Sequence, residues 1–279
     1  CKSGSTTKYC ASVVRLSEVT HAKILVPPVR VVTENFANIV NNFNHEVLED
    51  PLCGRIDQND VSRLILNFAW ADEAFNRSTA EGKFNVSPGT YRPVLHIEGS
   101  DLFIDDVHWG YRSAWAEASG KIPMAINTRL EKITNRYWKP LLTKGRAIVP
   151  AAGWYEWSGE KGQKQPWHIH RSDGEPIYIA ALANFAPATE VKTSNGFTIV
   201  TADAGGGMVD VHDRRPVVLT AEDAAFWLDP TVSAENAEQF VRSVCLGPEF
   251  FEWFKVNRAI GNVRNDGPEL VLPIKSELP

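Results

Sequence analysis

Beyond Cys53 the chain is a succession of short β-like runs punctuated by turn residues, a texture that points to a sheet-based fold. Tyr91 to Ile97 and Leu102 to Trp109 read as strands around Gly99-Ser100. Ala147 to Trp157 is apolar and aromatic, interrupted by Pro150 and Gly153. Trp167 to His170 and Ile177 to Leu182 flank Asp173-Gly174, a hairpin signature. Phe197 to Thr201 and Val217 to Leu219 add two further strands. Helical spacing is expected over Val61 to Trp70 and over Thr128 to Leu142, the latter broken by Pro140. Thr220-Ala221-Glu222-Asp223 resembles a capping box opening a helix that ends near Leu228, and Ser233 is expected to cap another reaching about Val244. The pattern predicts one α+β domain with a curved, mainly antiparallel, barrel-like β core and flanking helices.

Residues 1–52 have a different character. Their Ser/Thr/Lys opening, the Pro27-Pro28 break and the run Asn38, Asn41, Asn42 and Asn44 leave no clean periodicity. They are expected to be a leader, disordered or absent from the mature protein, ahead of a domain at 53–279. The chain begins with Cys1, and its methionines are Met124 and Met208. Leu52 is therefore a candidate start, since UUG and CUG codons can initiate translation and are then read as Met. Loss of that Met would expose the α-amine of Cys53.

Composition sets the outer limits. At 279 residues, 43% hydrophobic and 23% charged, the chain has the make-up of a globular protein with a substantial core. No stretch approaches the roughly 18 apolar residues of a membrane helix, and polar residues interrupt Val13 to Val32, so no signal-peptide core is present. A cytoplasmic protein is the default expectation. Cys1, Cys10, Cys53 and Cys245 form no CxxC pair, which argues against a structural zinc site or a disulfide framework. The net charge of −5 argues against indiscriminate nucleic-acid binding but leaves room for a local basic groove.

Four segments could carry chemistry: Cys53-Gly54-Arg55, Asn127-Thr128-Arg129, Gly153 to Trp157, and His212 to Pro216. A cysteine with a free α-amine carries two nucleophiles on adjacent carbons and can close a thiazolidine ring on an aldehyde. If Gly153 to Trp157 is a strand, Trp154 and Glu156 share one face while Tyr155 and Trp157 share the other. A carboxylate beside an indole is partly desolvated, which tends to raise its pKa toward the range useful in proton transfer. The competing reading is a surface glutamate between two packing tryptophans. His212 lies in a polar stretch between Ala204-Gly205-Gly206-Gly207 and Val217, where Asp210 or Asp213 could orient its ring. Arg55, Arg129 and Arg214 stand within two residues of these groups and suit bidentate phosphate contacts, or ordinary salt bridges. Trp70, Trp109, Trp115 and Trp154 could stack on unpaired bases, although most are expected in the core. His168 and His170 would face the same way on a strand, but with no third ligand evident no metal is expected.

In this order the four segments resemble the SRAP family, the SOS-response-associated peptidases understood as abasic-site processing proteins. Supporting stretches are Phe84-Asn85-Val86-Ser87-Pro88, Trp109-Gly110, Arg146 to Pro150 and Val263 to Leu270, and the likeness runs from Cys53 to about Pro273. The resemblance implies a curved β core with a positively charged cleft for single-stranded DNA. It further implies a cross-linking role for Cys53 once amino-terminal, and active-site roles for Asn127, Glu156 and His212. Arg55 and Arg129 would hold phosphates flanking the lesion, with Pro88, Trp109 and Arg214 also at the DNA surface. No cofactor, metal or membrane is implied, and a monomer is the simplest state. Thr128 and Arg215 depart from the family's common residues, and the 52-residue leader departs most.

Three activities follow. The leading expectation is a covalent abasic-site sensor on single-stranded DNA. The second is a thiol autopeptidase that cleaves the Leu52–Cys53 bond, and the third is a non-covalent DNA-binding module in which the leader blocks Cys53.

Overall fold

The structure is a computed structural model that describes residues 54–64, 74–160, 162–185 and 194–274. Residues 1–52 and Cys53 lie outside that range, as does Trp70. The described residues all fall in one compact unit, Asn41–Pro279.

Two sheets meet face to face. The smaller contains β1 (Ile56–Gln58), β3 (Lys83–Val86), β8 (Gly153–Ser158), β9 (Gln165–Arg171) and β14 (Phe251–Lys255), in the order β14-β9-β8-β1-β3. The larger contains β2 (Ala74–Asn76), β4 (Tyr91–Glu98), β5 (Asp101–His108), β7 (Arg146–Ala151), β10 (Ile177–Asn184), β11 (Gly196–Asp203) and β12 (Arg214–Pro216). Its order is β12-β11-β10-β7-β4-β5-β2; β6 (Asn127–Arg129) joins β11 in parallel, and β13 (Val218–Leu219) pairs with β10. The fold is α+β, with curved sheets that do not close into a barrel.

Period-two alternation assigns each face. Ala147, Val149, Ala151, Ile177, Ile179 and Ala181 turn inward to meet Ile56, Val86, Trp154 and Ile169 of the smaller sheet. Ile148, Tyr178, Ala180 and Leu182 turn outward under the helices. Both faces of β7 and β10 are covered, so these strands read as continuous apolar runs rather than as alternating ones. The helices over the outer face are α2 (Ala114–Ser119), α3 (Lys139–Lys144), α4 (Ala221–Leu228) and α5 (Ala234–Val244); a short α1 (Val61–Leu64) precedes them in the chain. On the far side of the smaller sheet, Tyr155 packs with Val256, Ile260 and Leu270 of the C-terminal segment.

The caps of α4 and α5 form as expected: Thr220 Oγ1 accepts from the Asp223 N–H at 3.1 Å, and Ser233 Oγ accepts from the Asn236 N–H at 3.1 Å. Buried Arg146 then gathers carbonyls at helix ends, donating to Leu142, Trp227, Asp229 and Val232.

Two expectations are corrected. Thr128 to Leu142 is not one helix, because Asn127–Arg129 is recruited as a strand on β11, where the Thr128 and Thr198 hydroxyls meet at 2.6 Å. Pro140 sits in the first turn of α3, where its missing N–H costs nothing, so it starts a helix rather than breaking one. Asp173-Gly174 does form a turn, with Gly174 at φ 75° donating to the Arg171 carbonyl at 3.1 Å. Its flanking strands β9 and β10 belong to different sheets, however, so the turn transfers the chain between layers and closes no hairpin. Of Val61 to Trp70, Val61–Leu64 is helical and the rest lies outside the described residues.

Candidate active site on the inner face of the smaller sheet

β8 sorts its side chains as the alternation requires. Trp154 packs inward, edge-on to Phe251 with centroids 5.1 Å apart. Tyr155 points to the opposite side, where its hydroxyl donates to the Phe84 carbonyl at 2.7 Å and burial pushes its pKa far up. Glu156 therefore shares the inner face with Trp154, and it is 4% exposed. Placing a carboxylate there is costly unless polar partners receive it, which separates Glu156 from an ordinary surface glutamate.

Antiparallel pairing of Ile56 with Trp154 and Asp57 with Gly153 fixes the register of β1 on β8. The Tyr155 N–H donates to the Arg55 carbonyl at 3.0 Å, which carries the pairing one residue beyond the strand. The same register sets Gly54, the residue after Cys53, opposite Glu156. Cys53 itself is outside the described residues.

Asn127 comes from the other sheet. It pairs in register with Ile199, an inward-facing core residue, whereas Thr128 pairs with Val200, which faces the helices. Asn127 and Glu156 thus project from the facing surfaces of the two sheets. Trp109 supports this side: its Nε1 donates to the Ile126 carbonyl at 3.0 Å, and its backbone exchanges bonds with Gly89 and Thr90, which directly follow the partly exposed Pro88. Trp109 is 0% exposed, so the expected role as a DNA contact is corrected. The indole fastens Asn127's strand and the Pro88 turn but has no face left for a base. Trp154 is likewise core, while Trp115 is exposed on α2.

His212 is carried by the loop after β11, which is anchored through Met208 in the inter-sheet core. The His212 N–H donates to the Met208 carbonyl at 3.1 Å, and its Nδ1 accepts from the Arg214 N–H at 3.0 Å. Asp213 Oδ1 lies 2.9 Å from the same Nδ1. One ring nitrogen cannot accept from the amide and donate to the carboxylate at once. The Arg214 amide and the Asp213 carboxylate thus compete for Nδ1, the first requiring that nitrogen bare and the second requiring it protonated.

Arg214 is corrected too. Its guanidinium is buried, donating to Glu131 at 2.8 and 3.1 Å, to Asp203 at 2.5 Å and to the Thr201 carbonyl at 3.0 Å. Burial alone would lower its pKa, but the Glu131 and Asp203 carboxylates outweigh that and raise it. Burial would likewise raise the Glu131 carboxyl, yet Arg214 holds it below its usual range. With these bonds made, Arg214 ties the His212 loop to the segment that carries Asn127 and Arg129 rather than facing a phosphate.

Arg55 differs from Arg214. Its Nη1 donates to Asn85 Oδ1 at 2.6 Å and the Ile260 carbonyl at 2.8 Å, and its guanidinium lies 5.6 Å from the Trp157 ring centroid. Its hydrogen-bond acceptors are all neutral, and it makes no ion pair among the described residues. Burial lowers its pKa, and the guanidinium remains charged. Arg129 is half-buried, paired with Thr201 and so on the same face as Asn127. Sequence reasoning missed Glu131 and Met208, which position these groups and have no local pattern that would mark them; it quoted Asn85 within Phe84 to Pro88 but assigned it no role.

The family model described as SOS response associated peptidase (SRAP) matches residues 52–263. Abasic site processing protein YedK of Escherichia coli (strain K12) is 43% identical over 228 residues, which is 80% of this chain and 100% of that protein. Abasic site processing protein YoaM of Bacillus subtilis (strain 168) is 27% identical over 79% of this chain and 97% of its own length. Among solved structures, a phage-related protein of Bordetella bronchiseptica superposes with a TM-score of 0.63 at 36% identity, covering 74% of this chain and 95% of that one. On the family match and the YedK likeness together, the chain belongs to the SOS response associated peptidase (SRAP) family.

Proposed function

We propose that this protein processes abasic sites by capturing them covalently in single-stranded DNA, with Cys53 as the reacting residue once it is amino-terminal. The observation that carries the reading is the β1–β8 register, which brings the residue after Cys53 opposite the buried carboxylate of Glu156. Relatives named as abasic site processing proteins supply the substrate class.

The chemistry balances without a cofactor. An opened abasic deoxyribose presents an aldehyde, and the Cys53 α-amine, with an ordinary pKa of about 7.7–8.0, attacks its carbon. Water leaves to give an imine. The thiol sulfur then adds to the imine carbon while its proton passes to nitrogen, closing a thiazolidine. Glu156 would move protons during addition and dehydration, and His212 would assist opening of the sugar ring. Asn127 would hold the amine or the sugar oxygen, and Arg55 and Arg129 would bind the flanking phosphates.

The test uses protein trimmed to begin at Cys53 and an oligonucleotide with one abasic site. A protein–DNA band that survives denaturation, and that Cys53→Ala abolishes, is the expected result. A complex that falls apart on denaturation would leave only a non-covalent binding module. Intact-mass measurement of the full chain adds a further check. Loss of residues 1–52 that Cys53→Ala and Glu156→Gln both prevent would establish autopeptidase activity instead.

A further inference from the structure

Strand register carries the candidate site beyond Glu156. Gly54 stands opposite Glu156, Glu156 pairs with Trp167 of β9, and Trp167 pairs with Lys255 of β14. The positions form one row across the smaller sheet, and period-two alternation puts the Glu156, Trp167 and Lys255 side chains on the inner face with Trp154. With neighbouring strands about 4.8 Å apart, the Lys255 backbone lies about 10 Å from that of Glu156. Exposure rises along the row: Glu156 is 4% exposed, Trp167 is half-buried and Lys255 is exposed. The row therefore leads from the buried carboxylate out to solvent at β14, the edge of the sheet.

The outer end of this row is held in place. The Trp167 indole donates from Nε1 to Ser158 Oγ at 2.7 Å, and Ser158 stands on the same face two residues beyond Glu156. Lys255 Nζ lies 5.4 Å from the Trp167 ring centroid, within cation–π range, so the ring restrains an ammonium that would otherwise sweep through solvent. Lys255 makes no ion pair among the described residues, whereas Lys139, equally at the surface, is neutralised by Glu235 at 3.1 Å. The carboxylate nearest in sequence, Glu252, is three positions back on the same strand and so projects from the opposite face. In a chain of net charge −5, an unneutralised ammonium fixed at the mouth of the Glu156 row is a local site for an anion.

We propose that Trp167 and Lys255 form a phosphodiester subsite for the DNA strand leaving the Glu156 site. Lys255 contacts the backbone beyond the phosphates that flank the lesion, and Trp167 is the positioning residue that holds its ammonium. The inference rests on the single-stranded DNA reading given above. A lysine suits this place, because a compact charge with three rotatable donors can follow a phosphate whose position varies, where a guanidinium fork demands one geometry. A backbone contact carries no base information, so the subsite lengthens the bound strand without narrowing the choice of sequence.

Binding of undamaged single strands to the full chain, followed by fluorescence anisotropy over a salt series, tests this. A short strand is compared with strands extended on the 5′ arm or on the 3′ arm. Extension of one arm should steepen the slope of log K against log salt by about 0.7, and Lys255→Met should remove that increment. Trp167→Leu should keep the increment but weaken binding of the extended strand by about two- to fivefold, and Trp167→Phe, which retains a ring face, should recover part of the loss. A slope that neither arm changes, or an increment that survives Lys255→Met, overturns the proposal. Equal weakening of short and extended strands by Trp167→Leu overturns the positioning role, since the indole would then act only through the fold. Absence of any binding by the wild type removes the DNA reading and this subsite with it, whereas binding without the increment removes the subsite alone.

Discussion

His96 shows how burial sets the chemistry of a single side chain in this fold. It is 2% exposed, stacks on Phe185 with centroids 3.9 Å apart, and meets Asp105 at 2.8 Å. Burial pulls its pKa below the ordinary value, and the hydrogen bond to Asp105 only partly opposes this. In the unfolded chain the ring protonates near pH 6.5, whereas the folded ring resists until the pH is lower. The unfolded state binds more protons in that window, so stability should fall as pH drops below about 6.5. Urea midpoints at about pH 7.5 and pH 5.5 should separate in the wild type and draw together in His96→Gln. The catalytic role proposed for Glu156 gives the counterpart. Glu156→Gln keeps the shape but removes the proposed proton carrier, so on that proposal the single-turnover cross-linking rate should drop by about 100-fold or more with noncovalent DNA binding retained. Glu156 and His212 could be singled out as candidates because each sits in a short motif. Trp167 and Lys255 could not be joined to Glu156, since the three meet only through the pairing of β8, β9 and β14, which no local spacing encodes.

At the scale of elements, Arg146 joins sheet to helices. Its guanidinium satisfies carbonyls at the end of α3 and around the end of α4, groups that would otherwise be buried without donors. Arg146→Met should therefore destabilise the protein by roughly 3 kcal/mol, read from urea unfolding, whereas Thr220→Ala should cost about 1 kcal/mol through loss of one cap. Equal losses would show that the carbonyls find water when Arg146 is gone. Caps and alternating strands could be read from the sequence because their determinants lie within a few residues of one another. The span from Thr128 to Leu142 could not. Its apolar spacing permits a helix, and only the exposed edge of β11 makes a strand at Asn127–Arg129 the better outcome. Asp173-Gly174 teaches the same lesson, because turn chemistry specifies a reversal but not which sheet receives the chain afterwards.

For the whole molecule, a net charge of −5 must be reconciled with a proposed polyanionic partner. Pairing state decides which arginines can contribute. Arg214 is neutralised inside the fold by Glu131 and Asp203, while Arg55 has only neutral acceptors. Each phosphate neutralised on a single strand contributes about −0.7 to the slope of log K against log salt. Two contacts, from Arg55 and Arg129, should give a slope near −1.4 for undamaged single-stranded DNA too short to reach Lys255. Arg55→Ala should bring the slope to about −0.7 and cost roughly 1 kcal/mol through its lost bonds to Asn85 and the Ile260 carbonyl. Arg214→Ala should leave the slope alone but cost roughly 1–3 kcal/mol of stability, because Glu131 and the Thr201 carbonyl lose their donor and the His212 loop its tether. Fluorescence anisotropy across a salt series, paired with melting curves, separates the two effects. Should Arg214→Ala flatten the slope as Arg55→Ala does, the buried network must open to admit DNA, and the cleft would have to be redrawn with three phosphate contacts.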